Sequence, residues 1–145
     1  MIAFFDTCIH IDLLTGAFSF DQVVQKMGSV PVRLSPVVAG ELLWVVSKRP
    51  RSIIERLVRQ LVPIEPPSWR QCWYDAGRLL PEVLRDHEEI GLSRLQNDLH
   101  LAMTARHTGA LFVTTDGHFE AMRRLITFRL IKLRQRQGRR SIAGA

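Results

Sequence analysis

Residues 110–115, Ala-Leu-Phe-Val-Thr-Thr, form an unbroken apolar and β-branched run between Gly109 and the pair Asp116-Gly117. A strand with one face in water alternates apolar and polar residues. A run without alternation is what a strand looks like when helices cover both faces of its sheet, and such sheets are usually parallel. An α/β chain is therefore predicted, with helical crossovers between strands. Asp116 falls at the carboxyl end of this strand, where open α/β sheets place their ligand-binding groups.

The segment entering the strand reads Asn-Asp-Leu-His-Leu-Ala-Met-Thr-Ala-Arg-His-Thr over 97–108. Asn97 suits an N-cap, Asp98 the first turn near the positive end of the helix dipole, and Gly109 the C′ position, which predicts a helix of about three turns. Asp98, Leu101, Ala102, Ala105 and Thr108 share one face by helical spacing, so this carboxylate lies among small apolar residues and faces along the sheet.

The remaining chain repeats the pattern. Residues 2–5 are a short apolar strand ending at Asp6-Thr7, followed by a helix that stops at Thr15-Gly16. Ser19-Phe-Asp-Gln22 is a capping box opening a second helix. A strand is expected over 30–34, with Pro31 at its start, where a missing donor does least harm. Ser35-Pro36, a cap followed by proline, opens a helix to about Ser47 that carries Glu41 on a face otherwise made of Val37, Val38, Leu42 and Val45. Ser52 begins another capping box, 62–65 reads as a short edge strand, and Ser68 opens a third helix start, with Pro81 expected to kink or restart the helix it begins. Residues 82–89 read as a solvated helix end and 88–96 as a loop with a helical turn. After Asp116 a short helix over 118–125 and a last strand over 126–133 complete the order β-α-α-β-α-α-β-α-α-β-α-β.

With 145 residues and 46% hydrophobic content, one domain can bury its own core, here 1–133 with a basic tail over 134–145. No apolar run approaches the roughly 18 residues that span a bilayer, and the amino terminus reaches Asp6 without a leader-like stretch. The expectation is a cytoplasmic protein with no membrane partner. Cys8 and Cys72 have neither disulfide nor zinc spacing and are expected to be plain thiols. No glycine-rich nucleotide-binding motif occurs. The net charge of +6 is concentrated at one end: from Ala121 onward there are eight Lys or Arg and no Asp or Glu, which leaves residues 1–120 at −2. A mildly acidic body with a cationic tail suits a polyanion, with Arg134, Arg136, Arg139 and Arg140 as candidate contacts.

Asp6 and Asp116 end two strands, Asp98 begins a helix beside one of them, and Glu41 is an acid on an apolar helix. If the sheet gathers these ends, four carboxylates share one cleft, and two of them about 4 Å apart repel by about 4 kcal/mol at an effective dielectric near 20. Only a cation makes that arrangement sensible. An all-oxygen donor set selects Mg²⁺ or Mn²⁺, ions that activate water and neutralise phosphate in phosphodiester hydrolysis.

The pieces Phe5-Asp6-Thr7, Ser35-Pro-Val-Val-Ala-Gly-Glu41, Asn97-Asp98 and Thr114-Thr115-Asp116-Gly-His-Phe119, in this order, resemble a PIN-domain ribonuclease of the VapC toxin type. The resemblance covers positions 5–119. It implies a PIN-like three-layer α/β/α sandwich with a mostly parallel sheet of about five strands. It also implies Mg²⁺ or Mn²⁺ held by Asp6, Glu41, Asp98 and Asp116, hydrolysis of RNA, a homodimer, and a small antitoxin that blocks the cleft. On the same basis Asp6 and Asp98 are principal ligands, Asp116 a ligand or water-positioning group, and Glu41 a ligand or a base just outside the ion's own ligands. Thr7, Ser35 and Thr114 would orient them by hydrogen bonds. Some members of the family carry a fifth acid two residues after the last one. Here that place is His118, which leaves either one firm metal site or a second ion held mainly by substrate. Two other readings compete: a housekeeping PIN nuclease without an antitoxin, and a nucleic-acid-binding PIN protein without turnover. The latter commonly lacks an acid, and all four are present. On the helix opened by Ser68, the apolar load of Trp69, Trp73, Leu79, Leu80, Val83 and Leu84 exceeds what one face of a small domain readily buries, which locates the expected dimer contact.

Overall fold

The computed structural model describes residues 1–45 and 51–134. Four strands, β1 (Ala3–Phe5), β2 (Val32–Arg33), β3 (Leu111–Thr114) and β4 (Arg129–Lys132), pair in the order β2-β1-β3-β4, and all pairs are parallel. At the β2 edge an isolated parallel bridge joins Leu34 to Pro63, so the predicted edge strand over 62–65 is reduced to one rung. The strand predicted over 30–34 is also shorter than its apolar pattern, and β2 keeps only two residues.

Strand alternation divides the core. Ala3, Phe5, Leu111 and Val113 point to one face, where Ile9, Val23 and Met27 from helices α1 (Thr7–Leu14) and α2 (Phe20–Met27) cover them. Phe4 and Phe112 point to the other, their rings 4.9 Å apart, beneath α3 (Pro36–Val45), α4 (Arg51–Gln60), α5 (Trp69–Asp86), α6 (Leu92–Thr108) and α7 (His118–Met122). The result is a three-layer α/β/α sandwich, the arrangement predicted from the unbroken run at 110–115. Among the described residues no helix is long and apolar enough to cross a membrane.

Local signals set most helix starts. Ser19 and Gln22 form the full reciprocal capping box of α2, while Ser68 caps α5 by accepting from the Gln71 N–H. Three expectations are corrected. Asn97 is not a cap: α6 begins five residues earlier, after Gly91 at φ +91°, because Leu92, Leu95 and Leu99 continue the apolar period upstream and no proline interrupts it. Asp98 therefore lies in the middle of α6 and owes nothing to the helix dipole. Pro81 neither ends nor restarts α5, which continues from Trp69 to Asp86 around buried Cys72, Ala76 and Val83. Ser52 lies inside α4 and does not cap it. The predicted end of α3 near Ser47 falls outside the described residues.

In this strand order the chain leaves β1 toward β2 on one side, whereas β3 lies on the other. The carboxyl ends of β1 and β3 thus flank a switch point, the place where parallel sheets open a crevice.

Candidate active site

Asp6 follows β1 at this crevice, and its backbone N–H donates to the Val113 carbonyl at 2.9 Å, which ties it to the neighbouring strand. Its carboxylate is 7% exposed and held at both oxygens: Oδ1 accepts from the Thr7 N–H at 2.8 Å and Oδ2 from the Thr114 hydroxyl at 2.7 Å. The Thr7 hydroxyl points elsewhere, donating to Glu41 Oε2 at 2.8 Å, so one threonine orients two acids through its two donors. Asn97 Nδ2 reaches Glu41 Oε1 at 3.5 Å. Thr114 works in both directions, donating to Asp6 and accepting from the Asp116 N–H at 3.0 Å. Ser35 is fully buried and accepts from the Val37 N–H at 3.2 Å, so its influence on Glu41 runs through capping α3.

Asp98 comes from α6, buried, with Leu101, Ala102 and Ala105 on its face. Its Oδ2 is hydrogen-bonded to His118 Nε2, while His118 Nδ1 bonds Asp116 Oδ1 at 2.8 Å. Arg94, one turn before Asp98, donates from Nη2 to Asp116 Oδ2 at 2.9 Å. Hydrogen bonds thus join Asp6, Thr114 and Asp116, then Asp116, His118 and Asp98, with Glu41 tied in through Thr7. Cys8 joins the same network: its thiol donates to Asp6 Oδ2 at 3.6 Å and accepts from the Thr115 hydroxyl at 3.2 Å.

These contacts make the two halves of the site electrostatically unlike. Burial pushes the Asp6 carboxyl up to about 6, and the charges of Asp98 and Glu41 push the same way against the hydrogen bonds from Thr114 and Thr7. On the other side the His118 hydrogen bond and the Arg94 guanidinium hold Asp116 below the usual carboxylate range, against its partial burial. Burial opposes a charge on His118, but its bonds to Asp116 and Asp98 and their charges prevail and raise it to about 9. Burial and the Asp6 charge push the Cys8 thiol up to about 12, so it stays protonated at neutral pH.

The donor chemistry fits a hard divalent ion. Asp6, Glu41 and Asp98 offer oxygens only, and the charges acting on buried Asp6 are those of other carboxylates, a state that an added cation relieves. Among the described residues no three His, Cys, Asp or Glu side chains already stand as a closed shell. Mg²⁺ uses one or two carboxylates and keeps several waters, so an open set suits it better than a cage.

Three contributors had no assigned role in the sequence pattern: Arg94, Asn97 as a Glu41 donor, and the His118 bridge. With α6 extended to Leu92, the i, i+4 spacing of Arg94 and Asp98 would have revealed the first. His10 and His100 are packed in the interior, and His107 stands 3.5 Å from Asp75. Exposed Arg134 leaves β4 at the same end of the parallel sheet as the acids, whereas Arg136, Arg139 and Arg140 lie outside the described residues.

A family model described as PIN domain matches residues 3–125. The fold is similar to two solved structures. One, VapBC2 from Rickettsia felis bound to a DNA fragment from the promoter, matches with a TM-score of 0.63 and 20% identity over 92% of this chain and 99% of that one. The other, VapBC-5 from Mycobacterium tuberculosis, a member of the VapBC family of toxin–antitoxin systems, matches with a TM-score of 0.55 and 20% identity over 91% and 98%. No curated protein matches the chain in sequence.

Proposed function

The chain belongs to the PIN domain family, and on that premise we propose that it is a Mg²⁺- or Mn²⁺-dependent endoribonuclease and the toxin of a VapBC-type toxin–antitoxin pair. The observation that carries this reading is the gathering of Asp6, Glu41, Asp98 and Asp116 at the carboxyl ends of β1 and β3 by the hydrogen bonds of Thr7, Thr114 and His118. Asp6, Asp98 and Glu41 are the residues that would hold the ion. When bound, it would supply a Lewis acid for the phosphate and a water acidified enough to attack at neutral pH. The chain's own part is orientation: Thr7 and Thr114 fix Asp6 and Glu41 with charge-assisted bonds, and Arg94, bonded to Asp116, would offer a guanidinium to a flanking phosphate. The basic residues after β4 would hold the rest of the RNA backbone. Two similar folds known as VapBC complexes support a small antitoxin as the natural partner.

The test is cleavage of total RNA by the purified chain with EDTA, Mg²⁺ or Mn²⁺, beside Asp98→Asn. Metal-dependent cleavage lost in the variant supports the reading. RNA binding without cleavage under every metal condition would leave a binding protein, and cleavage retained by Asp98→Asn would remove the site. Co-purification from the native host with a small protein partner separates a toxin from a nuclease that works alone.

A further inference from the structure

The four acids do not stand alike. Asp116 has both carboxylate oxygens engaged, Oδ1 by His118 Nδ1 at 2.8 Å and Oδ2 by Arg94 Nη2 at 2.9 Å. The His118 ring reaches Asp98 with its other nitrogen, so both ring nitrogens are taken by carboxylates of different elements. The ring is buried and stacked on Phe119, with centroids 4.8 Å apart and planes 26° apart. Its place is therefore set by packing as well as by its bonds. A Mg²⁺ ion shared by two carboxylates lies near 2.1 Å from each oxygen, which holds those oxygens within about 4 Å of one another. Between Asp98 and Asp116 that gap contains a five-membered ring and its two hydrogen bonds.

On the side of Asp6 the oxygens are also engaged, but by neutral donors. The Thr7 N–H and the Thr114 hydroxyl hold the two Asp6 oxygens, and the Thr7 hydroxyl and Asn97 reach Glu41, so these carboxylates are oriented without a cationic side chain and keep lone pairs for an ion. Asp98 binds His118 through Oδ2 alone, and its charge acts on Asp6.

We propose that His118 occupies the second cation position, so that the site takes a single divalent ion at Asp6, Glu41 and Asp98. Asp116 is a positioning residue that holds His118 together with Arg94, and not a metal ligand. The inference rests on the metal-dependent reading above and concerns how many ions the site accepts and which acids hold them.

The experiment is a Mn²⁺ titration of the intact chain at neutral pH, following free Mn²⁺ by its EPR signal, with folding of each variant checked by circular dichroism. The expected result is one Mn²⁺ per chain for the wild type and one for Asp116→Asn. His118→Asp, which exchanges the ring for a short oxygen donor, should bind two. Asp6→Asn should bind none over the same range. Two ions in the wild type would overturn the inference and leave metal dependence standing, whereas none in the wild type would overturn both. One ion in a folded His118→Asp, or loss of the ion in Asp116→Asn, would also overturn it. Should His118→Asp fail to fold, the wild-type count and Asp116→Asn decide.

Discussion

Without metal, Asp6→Asn should stabilise the protein at neutral pH, although it removes a carboxylate that accepts two hydrogen bonds. The Asp6 value rises from 3.8 to about 6 in the folded chain. Because the folded-state value is the higher one, the folded chain binds the extra proton. The stability it contributes is complete below 3.8 and is lost as pH rises through about 6. That rise in the Asp6 value corresponds to about 3 kcal/mol against the native state at pH 7.5, undiscounted because the side chain is almost fully buried. Asparagine escapes that cost but cannot accept from both the Thr7 N–H and the Thr114 hydroxyl, which returns about 1–2 kcal/mol. The net gain of about 1–2 kcal/mol should raise Tm by about 5 °C in EDTA at pH 7.5. At pH 4.5 the wild-type cost falls to about 1 kcal/mol, and the advantage should vanish. Saturating Mn²⁺ should reverse the order, because a ligand at 100 times its Kd adds about 2.7 kcal/mol only to the chain that binds it. Melts of both proteins at two pH values, with and without Mn²⁺, test each step. If Asp6→Asn were less stable than wild type by the same amount at pH 4.5 and 7.5, Asp6 would be a plain helix cap, and its burial beside other acids would have no energetic consequence.

Other perturbations separate the remaining roles. His118 has a folded-state value raised from 6.5 to about 9, so its contribution is complete below pH 6.5 and lost as pH rises through about 9; metal-free melting should decline across that window, and His118→Gln should flatten the decline. Replacing Arg134, Arg136, Arg139 and Arg140 with Ala should weaken RNA binding and reduce its log–log salt slope by about one for each phosphate no longer neutralised, and an unchanged slope would remove the tail from the RNA path. Trp73 and Tyr74 stand 52% and 56% exposed on α5, and sedimentation at micromolar concentration should show a dimer that Trp73→Arg dissociates; a monomeric wild type would contradict this.

The layers of the fold were legible because each depends on a short-range pattern. An apolar run without alternation specifies a covered strand, and Leu111 to Thr114 are all buried. Ser19-Phe-Asp-Gln22 specifies a helix start through two reciprocal bonds, and both form. Where two local signals competed, the choice between them needed tertiary contacts. Asn97 is a good cap in isolation, yet Leu95, fully buried against the core, lies before it, and the gain from burying a leucine exceeds that from any single cap. Pro81 should break a free helix, but buried Ala76 and Val83 on either side anchor α5 across it.

The same asymmetry applies to the site. Its acids were visible because strand ends and an odd charge on an apolar helix are features of sequence alone. Its cations were less so: His118 stands in the place of a further acid, which does not reveal a bridge, and nothing in the pattern marks Arg94. Arg94 belongs to the site only if the helix reaches back to Leu92, and His118 only if α7 turns its first residue inward between two carboxylates that lie 18 residues apart in the chain. A pattern of acids invites a count of metal ligands, but the charges that remain available to a metal are those which the protein has not already paired. Asp116 is paired with two cationic side chains and Asp98 with one, whereas Asp6 is held by neutral donors and raised by burial and by its neighbours' negative charge, so affinity for an ion should rank the acids in the opposite order to their pairing with cations. Loss of Mn²⁺ stabilisation should accordingly be greatest for Asp6→Asn, smaller for Asp98→Asn and least for Asp116→Asn. An equal loss in all three would mean that His118 and Arg94 yield to the ion, and that the pairing does not set the order.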